Sequence, residues 1–467
     1  GAEIIAREGP FATGFIDPLV PAVHSGLRVR PKPEQEIFVL APHGHYVRDL
    51  ARGTVVNTFP PGMSMLLAPV VLAFGRGAAF WFLPALALLL LAGFYRLGAK
   101  AVDPVFGLGL AAAAVFNEPV FANTVQIMSD VPSLALVSAS AYALFRNVRR
   151  PRAVWPVLAG AAFGASLLVR YSNAAAAVPL ALILWAGRRD EGGARMALRE
   201  GALFSAAAVL ADLVPLGIYT ALQFGTPFRF VYDPVNISRI SPANFAIGAS
   251  FYLGSLGRTF GPAGAALASV GLVAGLIRKS FRAAALVGLA GLTSFFVFYA
   301  LQSIRHERYL IPAYPFLALL FGLGLLEVVR AAGRSRVPAV LIMAAAVALP
   351  LSRSFGPLAV GFRGADRVAA GVKARVEGAP VVFCDQMSGP LRLYAEIPGY
   401  RFSWTDPDVL ADILAAIERE GRTVYFLLDN PVAADRFAAY LADLPDLAGR
   451  LAREPDVGTM PFYRLGR

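Results

Sequence analysis

Long apolar runs separated by short polar breaks fill the first three quarters of the chain. Ten of these runs are predicted to be helices: 78–97, 103–121, 130–147, 153–170, 173–187, 201–222, 259–278, 283–301, 309–330 and 336–353. Most approach the roughly 20 residues that a helix needs to cross the hydrocarbon of a bilayer. Backbone polar groups find no water there, so the helix, which pairs them internally, is the form the pattern dictates. The run 173–187 is short and follows its neighbour almost at once. Residues 61–74 (PGMSMLLAPVVLAF) are apolar, short and bracketed by Pro and Gly, which predicts an interfacial or re-entrant helix. Residues 1–60 mix Pro, Gly, Arg and His with short apolar stretches, and 223–258 read as a long aromatic and polar loop. Beyond residue 379 strand-like runs (APVVFC, TVYFLL) alternate with amphipathic helical ones (PDVLADILAAIERE, AADRFAAYLADL). That alternation marks a small α/β domain. The expected fold class is therefore an all-α polytopic membrane bundle with a small C-terminal α/β soluble domain. Its expected parts are a first loop with an interfacial helix over 1–77, a transmembrane domain over 78–354, and the α/β domain over 355–467.

Composition supports the membrane reading. Of the 467 residues 57% are hydrophobic and 16% charged, with mean hydropathy +0.59, more apolar surface than a water-soluble chain of this length can bury. The single cysteine, Cys384, excludes an intramolecular disulfide and a cysteine-rich metal site. The net charge of +12 is unevenly placed: residues 1–354 hold 30 of the 43 Lys/Arg against 16 of the 31 Asp/Glu, and the tail is nearly balanced. Such an excess in the membrane part reads as topology and not as nucleic-acid binding. Alternate loops carry it: Arg96 and Lys100; Arg146, Arg149, Arg150 and Arg152; Arg188, Arg189, Arg195 and Arg199; Arg278, Lys279 and Arg282; Arg330, Arg334 and Arg336. The positive-inside rule places these in the cytoplasm, and ten spans then put residues 1–77 and 354–467 together on the outer side.

The candidate chemistry gathers at outer helix ends. Asp130 opens a span in SDVPSLALVSAS, where Pro132 suits a first turn. As an N-cap it needs no function; as a carboxylate at membrane depth it is costly and a functional candidate. Arg170, in the polar break RYSN, is either a snorkelling turn residue or an anion ligand, since its planar fork donates two parallel hydrogen bonds to phosphate. Arg305, His306, Glu307, Arg308 and Tyr309 precede LIPAYPFLALLFGLGL, as a solvated loop against headgroups or as a site for a lipid phosphate. Asp385 and Asp429 end strand-like runs and read as turn residues. Asp212 lies mid-span. It supports a competing assignment, a transporter or lipid flippase, which would gather polar groups near the bilayer midplane. No phosphate-binding loop, nucleophile elbow or Cys/His zinc spacing occurs.

The order of TVVNTFPPGMSMLLAPVVLAFG, NEPVFANTVQIMSDVPSLALVSASAYALF, LLVRYSNAAAAVPLALIL and RHERYLIPAYPFLALLFGLGL resembles the GT-C class of membrane glycosyltransferases. The similarity is to its bacterial protein-mannosyltransferase and aminoarabinose-transferase-like branch, and it covers roughly residues 1–350. SGPLRLYAEIPGYR and GRTVYFLLDN look like the outer domain of bacterial members. The resemblance implies transfer of a sugar from a polyprenyl-phosphate donor to an acceptor on the outer face of the bacterial cytoplasmic membrane. Neither the acceptor nor a metal requirement is implied; a carboxylate pair could work with or without a divalent cation. In the class an acid of the first outer loop acts as base. GAEIIAREG looks like the continuation of such a motif, with Glu3 matching its second acid, so a first helix and an Asp are expected upstream of Gly1. Asp130 matches the second acidic position. Arg170 and Arg308/Tyr309 match places where relatives keep basic residues near the donor phosphate, and Arg305 and His306 of the same turn join them as donor-phosphate candidates.

Overall fold

The computed structural model describes residues 15–28, 40–41, 45–57, 59–101, 104–115, 117–124, 127–186, 193–227, 240–333, 337, 341, 364–403 and 405–466. The chain begins with strand β1 (Phe15–Ile16) and helix α1 (Leu19–Gly26), then strands β2 (His45–Asp49) and β3 (Thr54–Asn57). The short apolar helix α2 (Gly62–Phe74) forms where an interfacial helix is predicted. The helical bundle follows: α3 (Ala79–Ala101), α4 (Pro104–Val115), α5 (Glu118–Thr124), α6 (Asp130–Arg149), α7 (Val154–Val169), α8 (Ala177–Ala186), α9 (Gly193–Ala211), α10 (Leu213–Phe224), α11 (Phe245–Ile277), α12 (Arg282–Ala300) and α13 (Tyr314–Ala331). Single turns of 3-10 helix over Tyr171–Ala176 and Glu307–Ala313 lead into α8 and α13.

Among the described residues five helical segments are long and apolar enough to cross a membrane, and four more are apolar but shorter. Their burial separates rim from centre. Only 11% of the apolar stretch of Ala79–Lys100 is buried within the protein, against 89% for Glu307–Ala331. Trp81, Leu88 and Leu89 of α3 are accordingly exposed, a face suited to lipid. Helix α13 sits at the centre because small residues let its neighbour approach. A Cβ on Gly271 of α11 would stand 1.8 Å from the Leu320 carbonyl oxygen, and one on Gly324 would stand 1.9 Å from that of Leu267. Glycine-mediated contact of this kind replaces hydrophobic driving force inside a bilayer.

Three predicted boundaries differ from those observed, each for a local reason. The run 103–121 breaks at Asn117, whose side-chain oxygen accepts the Val120 N–H at 3.1 Å and starts α5. The run 201–222 begins earlier, at Gly193, and breaks at Asp212 between α9 and α10. Pro215 cannot donate to the preceding turn there. The loop expected over 223–258 is helical from Phe245 onward and continuous with the next span, interrupted only where Gly261 (φ 64°, ψ 179°) precedes Pro262. The run 336–353 lies almost wholly outside the described residues.

The tail folds as the predicted α/β unit. It contains α14 (Ala365–Lys373), β4 (Pro380–Phe383), a helical segment over 388–395, β5 (Gly399–Tyr400) and α15 (Pro407–Arg419). Then come β6 (Thr423–Leu427), α16 (Pro431–Asp443), α17 (Pro445–Arg450), β7 (Leu451–Val457) and β8 (Met460–Leu465). The sheet order is β5-β4-β6-β8-β7; β4 runs parallel to β5 and β6, and β8 antiparallel to β6 and β7. One face packs on α15 and α16, the other on α14 and the 388–395 segment.

A three-stranded antiparallel sheet, β1-β3-β2, joins this domain to the bundle. Its alternation explains how. Tyr46 pairs with Val56, and both pack on Leu168, Leu216 and Tyr219 of the bundle. Val47 pairs with Val55, and both face the core of the α/β domain together with Leu19, Val20 and Val23 of α1. A strand turns alternate side chains to opposite faces, so four residues bind two bodies at once. A buried polar latch reinforces the seam: Asp17 pairs with Arg392 at 2.5 Å and accepts the Tyr400 hydroxyl at 2.9 Å, while the Arg392 guanidinium lies 4.2 Å from the Phe15 ring centroid.

Candidate active site

Helices α6 and α7 form an antiparallel hairpin of 20 and 16 residues. At 1.5 Å rise per residue the start of one must lie beside the end of the other. Asp130 is the first residue of α6, and Arg170 directly follows the last residue of α7. Their side chains meet as a hydrogen-bonded ion pair in which the arginine donates. Helix α12 ends at the same level with Tyr299, and the turn into α13 supplies Arg308 and Tyr309.

The cluster is built around the carboxylate. Asp130 is 1% exposed, Arg170 15% and Arg308 25%. The Arg308 Nε is 4.0 Å from the second carboxylate oxygen, and its Nη1 is 3.2 Å from the Met128 sulfur. Two aromatic rings form the wall. The Arg170 guanidinium lies 4.8 Å from the Tyr309 ring centroid and 5.9 Å from that of Tyr299, and the two rings stack at 5.2 Å. Cation–π contact of this kind holds a guanidinium flat without using its donors. The Tyr299 hydroxyl and that of Ser172 are 2.5 Å apart. Ser129 occupies the N-cap position of α6 without a side-chain cap bond. The capping role is thus not what engages Asp130; its carboxylate is committed to the arginines.

His306 borders the group. Its Nδ1 accepts the Arg308 backbone N–H at 3.4 Å, and its ring is 5.8 Å from that of Tyr309. Burial, and then the Arg308 charge, push the imidazole pKa below its ordinary value. Near neutral pH the site therefore carries two guanidinium charges against one carboxylate, net about one positive charge.

The structure brings Asp130, Arg170, Arg308 and Tyr309 together, with His306 at the edge. Among the described residues Arg305 is not tied to them by a hydrogen bond or ion pair, and its buried Nε has no partner. Glu307 turns away to Arg258, at 2.5 Å. Glu3 lies outside the described residues. Asp212 sits apart at the α9–α10 break, buried, one oxygen without a hydrogen-bond partner. Among the described residues no group of three or more His, Cys, Asp or Glu could hold a metal ion. Sequence reading missed Tyr299, which looks like one more apolar position in SFFVFYA. Its only signal was a hydroxyl at the end of a span, in need of a partner.

No protein-family model matches the chain, and no curated protein matches it. Solved structures do. The crystal structure of ArnT from Cupriavidus metallidurans in the apo state superposes with TM-score 0.63 at 14% identity, covering 99% of this chain and 95% of that one. The same protein bound to undecaprenyl phosphate gives 0.60 at 15% identity, covering 99% and 96%. The oligosaccharyltransferase of Archaeoglobus fulgidus gives 0.54 at 12% identity, covering 95% of this chain and 68% of its own length. The chain has a GT-C glycosyltransferase fold. The likeness reaches across the bundle and the α/β domain alike, wider than the 350 residues on which the sequence resemblance rests.

Proposed function

We propose that this chain transfers a sugar from a polyprenyl-phosphate donor to an acceptor at the membrane surface. The observation that carries the reading is the pair of guanidinium groups gathered on one buried carboxylate at the domain-bearing end of a GT-C bundle. The similar ArnT binds undecaprenyl phosphate, the chemistry such a site suits.

Charge matching explains the fit. A polyprenyl-phosphate sugar is a phosphodiester with one negative charge, and the cluster offers net about one positive. As the anomeric C–O bond breaks, the leaving polyprenyl phosphate gains a second negative charge. Preorganised donors aimed at developing charge stabilise the transition state more than the ground state. Arg170, held flat by Tyr309 and Tyr299, and Arg308 are the groups for that charge; Tyr309 and His306 shape the rim, with Arg305 the outlying cation. Asp130 is ion-paired to Arg170 and lies 4.0 Å from Arg308. It acts through Arg170 and Arg308 as a positioning residue, and Glu3, matched to the second acid of the first outer loop, is the other member of the catalytic set. The parts divide at residues 77 and 354, and the α/β domain faces away from the cytoplasm at the bacterial inner membrane, as the arginine-rich loops require. The transporter alternative gains no support: among the described residues Asp212 lies at the α9–α10 break with no other polar group gathered on it.

The test is turnover of an undecaprenyl-phosphate-linked sugar by the purified chain in lipid nanodiscs, read as release of free undecaprenyl phosphate. Arg170→Gln is expected to reduce release by about two to three orders of magnitude. Wild-type release in that variant would sink the assignment of the site. Reporter fusions at Arg150, Arg189 and Tyr400 test the orientation; a cytoplasmic reporter at Tyr400 would reverse it.

A further inference from the structure

A second polar site lies in the α/β domain, at the carboxyl ends of its three parallel strands. Strand β4 is flanked by β5 on one side and β6 on the other, all running the same way. The connection leaving β4 passes to the sheet face that carries α14 and the 388–395 segment. The connection leaving β6 passes to the opposite face, as α16. Chains that part to opposite faces leave a crevice at the strand ends, the position where open α/β sheets hold ligands.

The residues at that crevice are polar and buried. Asp385 follows β4 and is 5% exposed, and its Oδ1 has no hydrogen-bond partner among the described residues. Ser403 and Thr405 follow β5, are 2% and 6% exposed, and their hydroxyls likewise have no partner. Asp429 follows β6. Its two oxygens accept the backbone N–H groups of Asp385 at 3.2 Å and Met387 at 2.5 Å, and the Asn430 side chain at 3.0 Å. Asp429 thus shapes the loop that presents Asp385. Arg401, after β5, feels the charge of both carboxylates. A buried carboxylate oxygen and two buried hydroxyls without partners cost free energy that a merely structural turn would not retain.

The chemistry of the set selects the ligand. Two carboxylates against one guanidinium leave the crevice slightly negative, which disfavours phosphate and other anions. Metal binding would take more carboxylate or imidazole ligands than gather there. A neutral ligand that both donates to Asp385 and accepts from Arg401, Ser403 and Thr405 is a hydroxyl-rich ring. We infer that Asp385, Arg401, Ser403 and Thr405, at the carboxyl ends of β4 and β5, bind a neutral saccharide in the α/β domain, with Asp429 positioning Asp385. That this saccharide belongs to the acceptor rests on the transferase reading; that the crevice binds one does not.

The experiment is saturation-transfer NMR on the full chain in nanodiscs with three neutral disaccharides, maltose, lactose and cellobiose, and parallel arms with calcium chloride and inorganic phosphate. Binding of at least one disaccharide is expected. Asp385→Asn, which keeps the shape of the side chain, should weaken it about tenfold or more, and Ser403→Ala several-fold. A matching cooperative unfolding transition in both variants excludes loss of fold as the cause. Absence of binding by all three disaccharides overturns the proposal. So does binding unchanged in both variants, or displacement of the sugar by calcium or phosphate. Undecaprenyl-phosphate-sugar turnover is measured on the same samples. Disaccharide binding without turnover supports the crevice and removes only its role as acceptor site.

Discussion

Asp130 illustrates how one residue type can carry two roles that only geometry separates. At the start of a helix Asp and Asn cap about equally well, so a capping Asp130 would tolerate Asn. Here the cap bond is not made and the carboxylate serves two guanidinium groups. Asp130→Asn is therefore expected to insert and fold but to lose about two to three orders of magnitude of donor turnover, because Arg170 and Arg308 lose the charge that aims them. Near-wild-type turnover would reduce Asp130 to a structural residue. Asp130→Ala should in addition lower stability by about 3–5 kcal/mol, since Arg170 is left buried without its partner. His306 supplies a pH signature. Its folded-state pKa lies below the ordinary 6.5 because burial and Arg308 disfavour the imidazolium. The unfolded chain then binds the proton more readily, so His306 costs no stability above about pH 6.5 and removes stability as the pH falls below it. The thermal midpoint of the wild type should drop on acidification through that range, and His306→Gln should flatten the drop. Equal slopes in the two proteins would show that another group titrates there. The sequence marked Asp130, Arg170 and the 305–309 turn because charged residues at helix ends are few in an apolar chain. It left Tyr299 hidden and ranked Arg305 with Arg308, because neither hydroxyl partners nor side-chain direction are written in local pattern.

At the scale of elements, what was legible follows one rule. Runs of apolar residues have no stable alternative to helix in a bilayer, so α3, α6, α7, α12 and α13 stand close to their predicted bounds. The misreadings fell where pattern and backbone chemistry disagree. The stretch from Phe245 to Arg258 is polar and aromatic enough to read as loop, yet it is helical; its polar groups meet partners at the domain-bearing end, as Arg258 does with Glu307. Packing was less legible still. Gly271 and Gly324 look like two of 44 glycines, yet each admits a carbonyl of the facing helix. Gly271→Ala and Gly324→Ala are each expected to destabilise the protein by about 1–3 kcal/mol through forced separation of α11 and α13. The double variant should cost less than the sum, because one displacement relieves both clashes. Thermal unfolding in detergent measures this; full additivity would mean that the two contacts relax separately.

The whole molecule is two bodies, the bundle and the α/β domain, bound by a small sheet, and the residues of that seam lie at opposite ends of the chain. No local pattern pairs Asp17 with Arg392, 375 positions apart. The sequence showed alternation in HYVRD and TVVN but not that both faces of the strands would be covered. The seam makes a prediction about function. The Asp17–Arg392 latch, just after β1, fixes the start of this sheet to the α/β domain. Arg392→Met keeps an aliphatic stem against Phe15 but removes the charge, leaving the Asp17 carboxylate, 1% exposed, with the neutral Tyr400 hydroxyl and Leu19 N–H as donors and no counter-charge. An uncompensated buried charge costs about 3–5 kcal/mol, enough to loosen the seam between the small sheet and the α/β domain while that domain keeps its own core. Donor turnover should then fall with the substrate KM nearly unchanged, since Arg170 and Arg308 stay in place while the α/β domain loses its fixed position against the bundle. Asp17→Asn on top of Arg392→Met removes the stranded charge, so the double variant is expected to recover thermal stability and part of the turnover. The double-mutant cycle decides the matter. Additive losses would show that the two side chains act independently, and the α/β domain would then have no hold on the catalytic end through this seam.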